Sequence, residues 1–469
     1  MTTGAQSEIA FSPATAADME FIRSQLEGER LDTQRLEPEQ FITIREDGCI
    51  VALGRVKPYE HTYELGSLCV APDRRGRGLG EAITRELIRR FPQDEVYLTT
   101  DASVGLPAYY ERFGFLRTDI LPPELQAKVD WLIETGFRGS PVGMIYDRRI
   151  EKLPTIGDIY RAKHVIADYL QPTPLVRNAV ISREYGFEAY LKLEHLQPIG
   201  AFKVRGGVYL SVGLSDDERR LGIIGASTGN HGQSLAYGAN MAGVRCTILM
   251  PDESNPMKVE SMRALGAEVL FHGADFEAAR EYAENLAEES GAQFIHHAND
   301  PRLITGVATL SLEVMEVLPD VDVIVAPIGG GSGVLAHLLC AKALRPDVEV
   351  IAVQAEGARA VYDSWRERCL VRREIDTAAE GLATGAAYYP AIKTLIDRLD
   401  DFILVSEDDM REAMLLLARA AHVVAEESGA AATTGAVKLK ERLAGKKVAI
   451  IVSGGNVPLD HLRRVLNTI

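Results

Sequence analysis

Cysteine is scarce in this sequence, with five residues in a chain of 469. They are widely scattered, at Cys49, Cys69, Cys246, Cys340 and Cys369. No two of them have the Cys-x-x-Cys spacing, so the sequence indicates neither a disulfide framework nor a cysteine-bound zinc ion.

Positive charge is in deficit, and long apolar runs are missing. The chain has 51 Lys and Arg against 67 Asp and Glu, a formal net charge of −16. This balance argues against nucleic acid and anionic membranes as partners, because both attract basic surfaces. No apolar run approaches the roughly 20 residues of a membrane helix. Residues 1–8 lack the basic and apolar regions of a signal peptide, so we expect a cytoplasmic protein.

The composition that remains is that of an ordinary globular protein, 46% apolar and 25% charged. The length predicts two to four domains. From residue 156 onward, short apolar segments alternate with helical patterns, such as residues 156–169, 257–265, 276–289 and 409–425. The predicted strands are residues 189–192, 222–226, 245–250, 268–271, 321–326, 349–355 and 448–452. Such alternation predicts a parallel sheet with helices on both faces and ligands at the carboxyl ends of the strands.

Four polar segments stand just after predicted strands or at helix starts: residues 192–207, 227–232, 327–333 and 453–456. The first holds Lys203, and a reactive lysine needs a site that lowers its pKa and presents it to a carbonyl. The third holds Gly329, Gly330, Gly331 and Ser332. A glycine-rich turn before a helix exposes backbone N–H groups and suits a phosphate. Taken singly, Lys203 also fits a surface lysine at a helix start, and the glycine run also fits a plain tight turn.

Together and in this order, the four segments resemble the fold-type II pyridoxal-phosphate enzymes, in the serine/threonine dehydratase and serine racemase branch. The resemblance covers residue 156 to the C-terminus, and we assign residues 151–469 to this domain. It implies two parallel-sheet α/β subdomains, as in the tryptophan synthase β subunit. It also implies a homodimer and an amino-acid substrate.

The resemblance also implies roles for particular residues. Lys203 would hold pyridoxal 5′-phosphate, and Phe202 would pack against its ring. The phosphate would lie on Gly329, Gly330, Gly331 and Ser332, with Asn230 on the ring oxygen and Ser453 at the ring nitrogen. Ser227, Thr228, Gly229 and His231 would bind the substrate carboxylate. The alternatives are that Thr228 caps a helix and that Ser453 caps a turn.

A hydroxyl at position 453 does not force a proton onto the pyridine ring, which favours β-elimination over transamination. We therefore expect a dehydratase that converts a serine- or threonine-like amino acid to a 2-oxo acid and ammonia. The same site also suits hydroxyaspartate, a diamino acid or an ectoine-derived hydroxy compound. Racemisation is a further alternative and needs a second base, for which serine racemases offer a serine at the position of Thr228.

Two other features of this part of the chain are a histidine pair and a possible metal ligand. The pair His296-His297 is interpreted as part of a structural loop. Glu356 matches a position that binds a divalent cation in some serine racemase relatives, but Tyr362 stands where a second carboxylate is expected. A metal site therefore stays open.

The first third of the chain is a separate unit. A helix is predicted at residues 17–27 and a hairpin at residues 41–56, with Asp47-Gly48 at its turn. A further strand is predicted at residues 63–70, followed by Arg75-Gly-Arg-Gly-Leu-Gly80 and a helix at residues 81–91. Glycines at a helix N-terminus let the backbone approach a pyrophosphate, and Arg75 adds charge.

This strand, loop and helix, with Ala108-Tyr-Tyr-Glu-Arg-Phe-Gly-Phe115 after them, resemble the GNAT-type N-acetyltransferases. We assign residues 1–150 to this mixed-sheet α/β domain, with the boundary near residues 148–156. The resemblance implies acetyl-CoA as cosubstrate or effector, bound at Val70, Arg75, Gly76, Gly78 and Gly80.

Two residues of this domain are candidates for catalysis by resemblance. Tyr110 would be the general acid, and Glu64 would be the base for an incoming amine. The alternatives are that Tyr110 packs beside Phe113 and Phe115 and that Glu64 is a solvated strand residue. A further alternative is that the domain is a non-catalytic acetyl-CoA sensor.

Overall fold

A computed structural model describes residues 9–467 of the chain. The expectation that the chain lacks a signal peptide depends on residues 1–8, which lie outside this part. The chain divides into two compact units, Met1–Arg148 and Arg149–Ile469.

The first unit is a sheet with four α-helices among its described residues. Its strands are β1 Phe11–Pro13, β2 Phe41–Glu46, β3 Cys49–Pro58, β4 Tyr63–Val70, β5 Glu95–Asp101, β6 Leu116–Thr118 and β7 Pro141–Asp147. Its helices are α1 Met19–Gly28, α2 Leu79–Arg90, α3 Leu106–Glu111 and α4 Pro123–Glu134.

The strands of this unit pair in the order β1-β2-β3-β4-β5-β7-β6. All neighbours are antiparallel except β4 and β5, which are parallel, so the sheet is mixed as expected. The hairpin turn between β2 and β3 has Asp47 and Gly48 at positive φ, 50° and 79°, as the sequence predicts. Helix α2 covers the sheet with buried Leu79, Ile83 and Leu87.

The second unit alternates strands and helices along the chain. Its strands are β8 Leu175–Arg177, β9 Glu188–Leu193, β10 Ile223–Ala226, β11 Cys246–Met250, β12 Glu268–Phe271, β13 Gln293–Phe294, β14 Val323–Pro327, β15 Glu349–Ala355, β16 Cys369–Leu370, β17 Asp401–Val405 and β18 Lys447–Val452. Its helices are α5 Ile156–Ile166, α6 Ala179–Tyr185, α7 Val204–Val212, α8 Asp216–Leu221, α9 Asn230–Ala242, α10 Pro256–Ala264, α11 Phe276–Ser290, α12 Pro301–Val317, α13 Ser332–Leu344, α14 Ala360–Glu367, α15 Tyr389–Arg398, α16 Glu407–Ala421, α17 Glu427–Lys438, α18 Lys440–Leu443 and α19 Leu459–Leu466.

This unit contains two main sheets. The smaller has the order β12-β11-β10-β13 and is parallel throughout. The larger has the order β17-β15-β14-β18-β9-β8 and is parallel except where β8 meets β9. Each sheet is covered by helices, and its apolar strands are buried on both faces. The expected pair of parallel-sheet subdomains is therefore confirmed.

A buried charge network joins strand β9 to helices α7 and α12. Arg205 is 1% exposed, and its guanidinium donates to both oxygens of Glu194, at 2.8 Å each, and to Glu313 at 2.6 and 2.9 Å. Lys192 also donates to Glu313 and to the backbone oxygen of Thr173. Two cations and two anions balance here, which is what allows charges to be buried. Burial opposes ionisation of Glu194, but Arg205 outweighs it and lowers the pKa of this carboxyl.

Candidate active site

Strand order brings three of the four polar segments to one edge of the larger sheet, and the fourth follows β10 of the smaller sheet. Strand β18 lies between β14 and β9, so the segments after these three parallel strands emerge side by side. The segment that holds Lys203 is joined to the Ser453 segment by an isolated bridge, Ala201 to Gly454, and the N–H of Phe202 donates to the backbone oxygen of Ser453 at 3.0 Å. Lys203 itself stands directly before α7.

The side chain of Lys203 points at the glycine-rich turn. Its Nζ donates to Oγ of Ser332 at 3.0 Å and lies 5.4 Å from the ring centroid of Phe202. The structure shows no acidic group in an ion pair with this amine among residues 9–467. Burial therefore lowers the pKa of Lys203 from 10.5 to about 8, since nothing nearby compensates the lost hydration.

The rate at which the apoenzyme takes up pyridoxal phosphate should rise with pH, with a midpoint at about 8. Only the uncharged amine attacks a carbonyl, and burial favours that form. The initial growth of visible absorption after mixing, followed between about pH 6 and pH 10, measures this midpoint. A midpoint near 10 would show that the amine is hydrated like an ordinary lysine. The pKa of Lys203 is lower in the folded protein than in the unfolded chain. Burial of this amine therefore reduces the free energy of unfolding by its full amount below about pH 8, and the reduction fades as the pH rises to 10.5.

The turn after β14, residues 329–332, forms a backbone cradle. Side chains at two of its glycines would collide with neighbouring atoms. A Cβ on Gly329 would lie 2.3 Å from the backbone oxygen of Gly381, and one on Gly331, at φ +104°, would lie 2.6 Å from Cβ of Ala391. Ser332 then begins α13, so the turn lies at the positive end of a 13-residue helix. These features suit an anion such as a phosphate.

The amide of Asn230 is held in one orientation by two neighbours. Its Nδ2 donates to Oε1 of Glu426 at 2.9 Å, and its Oδ1 accepts from Nδ2 of Asn456 at 2.8 Å. Burial raises the pKa of Glu426. Sequence reasoning missed Glu426, whose only signal is an acidic residue just before the apolar helix α17.

The residues predicted to bind the substrate carboxylate have different roles in the structure. The Ser227 hydroxyl accepts from the backbone N–H groups of Gly229 at 3.1 Å and Gly232 at 2.9 Å, so it shapes the turn. Thr228 is exposed and lines the cavity, and the residue that caps α9 is Gly229 rather than Thr228. His231 is buried, and burial holds its pKa well below the usual value, so its ring is uncharged.

One cavity of 510 Å³ lies among these segments. Every residue predicted for the cofactor or for the substrate carboxylate lines it: Phe202, Lys203, Ser227, Thr228, Gly229, Asn230, His231, Gly329, Gly330, Gly331, Ser332 and Ser453. Sequence reasoning missed a wall made by residues 372–388, and it missed Lys258, which pairs with Glu380 of that wall. It also placed His297 in a structural loop, whereas this ring lines the cavity.

The residues present fit pyridoxal phosphate. A lysine with a lowered pKa faces a backbone cradle for an anion, as described above. Ser453 is 6% exposed, and its hydroxyl donates to the backbone oxygen of Ser428 at 3.3 Å. The group at this position of the cavity is therefore a hydroxyl and not a carboxylate. Among residues 9–467 no group of three or more His, Cys, Asp or Glu side chains is arranged to hold a metal ion.

In the first unit, the loop before α2 has the geometry that the glycine motif predicts. Gly76 and Gly78 have φ of +78° and +82°, and there is open space around the position of a Cβ on each. The Arg75 guanidinium reaches back to the backbone oxygen of Val70 at 3.2 Å and pairs with Glu29 at 2.5 Å. A Cβ on Gly80 would lie 3.2 Å from the Tyr109 hydroxyl.

Glu64 and Tyr110 are both buried in this unit. Glu64 is 4% exposed and accepts hydrogen bonds from Lys128 at 2.6 Å, from Tyr59 at 2.9 Å and from Thr99. The alternative that Glu64 is a solvated strand residue is therefore wrong. Tyr110 is 8% exposed and packs edge-on against Phe115 and Tyr109, and burial raises its pKa.

Comparison with known families decides the identity of the larger unit. Residues 166–454 match the family described as pyridoxal-phosphate dependent enzymes. The chain belongs to this family. Residues 11–115 match the acetyltransferase (GNAT) family, so the chain also carries a GNAT domain.

Individual members of the pyridoxal-phosphate dependent family align over the same unit. The L-threonine ammonia-lyase of Thermotoga maritima is 38% identical over 317 residues, 67% of this chain and 78% of that protein. A catabolic L-threonine dehydratase of Staphylococcus aureus is 35% identical over 66% of this chain and 92% of its own length. The solved structure of maize serine racemase superposes with a TM-score of 0.64, at 30% identity, over 67% of this chain and 97% of that one.

These matches confirm the predicted families, the α/β fold and the assignment as a pyridoxal-phosphate-dependent lyase. No helix within the described residues is both long enough and apolar enough to cross a membrane.

Proposed function

We propose that the second unit removes water from a β-hydroxy amino acid of the threonine or serine type and releases a 2-oxo acid and ammonia. The observation that carries the proposal is the contact between Lys203 Nζ and Ser332 Oγ beside the glycine cradle. The relatives named as threonine ammonia-lyase and threonine dehydratase support it.

In this proposal Lys203 takes up the α-proton and returns a proton to the leaving hydroxyl. Pyridoxal phosphate, when bound, supplies a carbonyl for the amino group and an electron sink for the α-carbon. With its lowered pKa, Lys203 is positioned to take the α-proton at Nζ, and the Ser332 hydroxyl orients that amine. Loss of the β-hydroxyl as water leaves an enamine, which hydrolyses to the 2-oxo acid and ammonia.

The other residues bind and orient in this proposal. Gly329, Gly330, Gly331 and Ser332 hold the phosphate, Asn230 and Phe202 orient the ring, and Ser453 faces the ring nitrogen. The substrate carboxylate binds at Thr228, Gly229 and the backbone of the turn that Ser227 shapes, beside the uncharged His231. Thr228 lines the cavity and would be the second base if the enzyme racemised its substrate.

For the first unit we propose acetyl-CoA binding at Val70, Arg75, Gly76, Gly78 and Gly80. Acetyl transfer to an amine would use Tyr110 as acid and Glu64 as base. Two of the three donors on Glu64 contact Oε1 and one contacts Oε2, so a lone pair on Oε2 is left for an incoming proton. The alternative is that the domain is a non-catalytic acetyl-CoA sensor. The domain assignments 1–150 and 151–469, the homodimer and the cytoplasmic location stay predictions.

A substrate panel on the purified holoenzyme tests both proposals. The panel contains L- and D-serine, L-threonine, 3-hydroxyaspartate and 2,3-diaminopropionate, each with and without acetyl-CoA. We expect 2-oxo acid and ammonia in equal amounts from at least one β-hydroxy amino acid. Free thiol released with an amine would demonstrate acetyl transfer, whereas acetyl-CoA that changes deamination without thiol release would demonstrate a sensor. If no β-hydroxy amino acid is deaminated while the cofactor is bound, the proposed reaction is wrong.

A further inference from the structure

One wall of the catalytic cavity comes from a single stretch of chain, residues 372–388. It leaves the end of β16 and returns toward the start of α15, and a bridge between Arg372 and Ala386 closes it. The residues of this wall that line the cavity are Arg372, Arg373, Ile375, Glu380, Gly381, Leu382, Ala383, Thr384, Gly385, Ala386 and Tyr388. None of them belongs to the four segments that hold the cofactor, so the wall is free to contact the substrate side chain.

The cationic side chains of lysine and arginine that line the cavity are paired, with two exceptions among the described residues. Lys258 pairs with Glu380, and Arg373 pairs with Asp363 at 2.7 Å. Lys203 is the reactive amine. Arg372 is exposed, lines the cavity and forms no ion pair with any described residue. A guanidinium at the solvent side of the cavity is therefore available to an incoming anion.

No acidic group that lines the cavity forms an ion pair with Arg372 in the described part of the chain, and each has another hydrogen-bond or ion-pair partner. Asp275 accepts from the backbone N–H of Ala278 at 2.9 Å, and Glu277 pairs with Arg280 at 3.1 Å. Glu380 and Glu426 are engaged by Lys258 and Asn230.

The rings of His297 and Tyr388 connect the glycine cradle with the wall at residues 372–388. The ring of His297 lies next to the cradle, since its Nε2 is 3.2 Å from the position of a Cβ on Gly330. Tyr388 packs edge-on against His297, with ring centroids 5.2 Å apart. Burial raises the pKa of Tyr388, and the positive charge of Arg372 is among those that oppose the rise, so the two groups are within electrostatic reach.

We infer that Arg372 binds a second acidic group on the substrate, so that the preferred substrate is a β-hydroxy amino acid with a carboxylate on its side chain. The methyl group of threonine and the bare β-carbon of serine offer nothing to a guanidinium, whereas a carboxylate accepts two parallel hydrogen bonds from it. This inference rests on the proposed β-elimination and specifies its substrate class.

The reaction is balanced for such a substrate without a further reactant. The α-proton goes to Lys203 Nζ. The Cβ–O bond then breaks with its electron pair on oxygen, and the proton held by the Lys203 ammonium passes to that oxygen, so the hydroxyl leaves as water. The resulting enamine then takes up one water and yields a 2-oxo dicarboxylic acid and ammonia. No group is oxidised or reduced from outside.

The test compares kcat/KM of the holoenzyme for 3-hydroxyaspartate, L-serine and L-threonine, in the natural chain and in Arg372→Gln. We expect the natural chain to prefer 3-hydroxyaspartate at least about tenfold, and we expect R372Q to lose about 10- to 100-fold for that substrate alone, since a charge-assisted hydrogen-bond pair is removed. Arg372→Lys should recover only part of the loss, because an ammonium lacks the planar fork.

Arg366→Gln is the matched control, since Arg366 is an arginine of α14 whose guanidinium donates to the Tyr362 hydroxyl and does not line the cavity. It should leave all three values unchanged. Turnover of serine or threonine with no preference for 3-hydroxyaspartate, or an equal loss for all substrates in R372Q, overturns the inference and leaves the proposed function standing. Absence of 2-oxo acid from every β-hydroxy amino acid overturns both.

Discussion

Replacement of Lys203 by alanine is expected to lower β-elimination by more than about 10³-fold, because one amine both attaches the cofactor and moves the α-proton. Among the described residues that line the cavity, one other lysine could in principle hold the cofactor. The other lysine that lines it, Lys258, pairs with Glu380 and is not free to act as a base. The measurement is the rate of 2-oxo acid release at saturating substrate, together with the visible absorption of the bound cofactor.

Lys393→Ala is the control for this change. Lys393 lies on α15, outside the cavity, and pairs with Asp397. We expect this variant to keep its activity and its visible absorption. A Lys203→Ala variant that kept most of its activity would show that another group takes the α-proton.

Replacement of Arg205 by alanine is expected to lower the free energy of unfolding of the second unit by about 3–5 kcal/mol. The reason is that Glu194 and Glu313 would remain buried with only Lys192 to balance two negative charges. Arg205 itself lies in the first turn of α7, two residues after Lys203. Urea unfolding, followed by the absorption of the bound cofactor, measures the change.

Arg161→Ala is the comparison for the loss of an exposed ion pair. Arg161 lies on α5, is largely exposed and pairs with Asp158 three residues before it. Such a pair contributes less than about 1 kcal/mol. If Arg205→Ala cost no more than Arg161→Ala, the buried network would be irrelevant to stability.

Local pattern predicts most elements of the second unit, with errors at their ends. The strands predicted at residues 268–271 and 349–355 match β12 and β15, because an apolar run bounded by turn residues is a strong signal. The helix predicted at residues 409–425 instead spans Glu407–Ala421 and ends where His422 takes a left-handed φ of 57°. The sequence has no glycine or proline at this point to mark that end.

Other features escape prediction from local pattern. The predicted strands do not include β17, although its residues are mostly apolar. The roles of Glu426 and of the wall at residues 372–388 depend on contacts with residues more than 100 positions away, such as Asn230 and Lys258. In the first unit, the resemblance to the GNAT family predicts Glu64 as a possible base. Its contact with Lys128, 64 residues along the chain, is a matter of packing.

The sequence by itself determined the two families, the alternation of strands and helices, and the chemistry of the glycine turn, because each depends on residues that are close together in the chain. Only the tertiary structure decided which cations remain unpaired. Lys258 and Arg373 have acidic partners, whereas Arg372 forms no ion pair with any residue between positions 9 and 467. Such pairing depends on which distant segments the strand order brings to the same cavity wall.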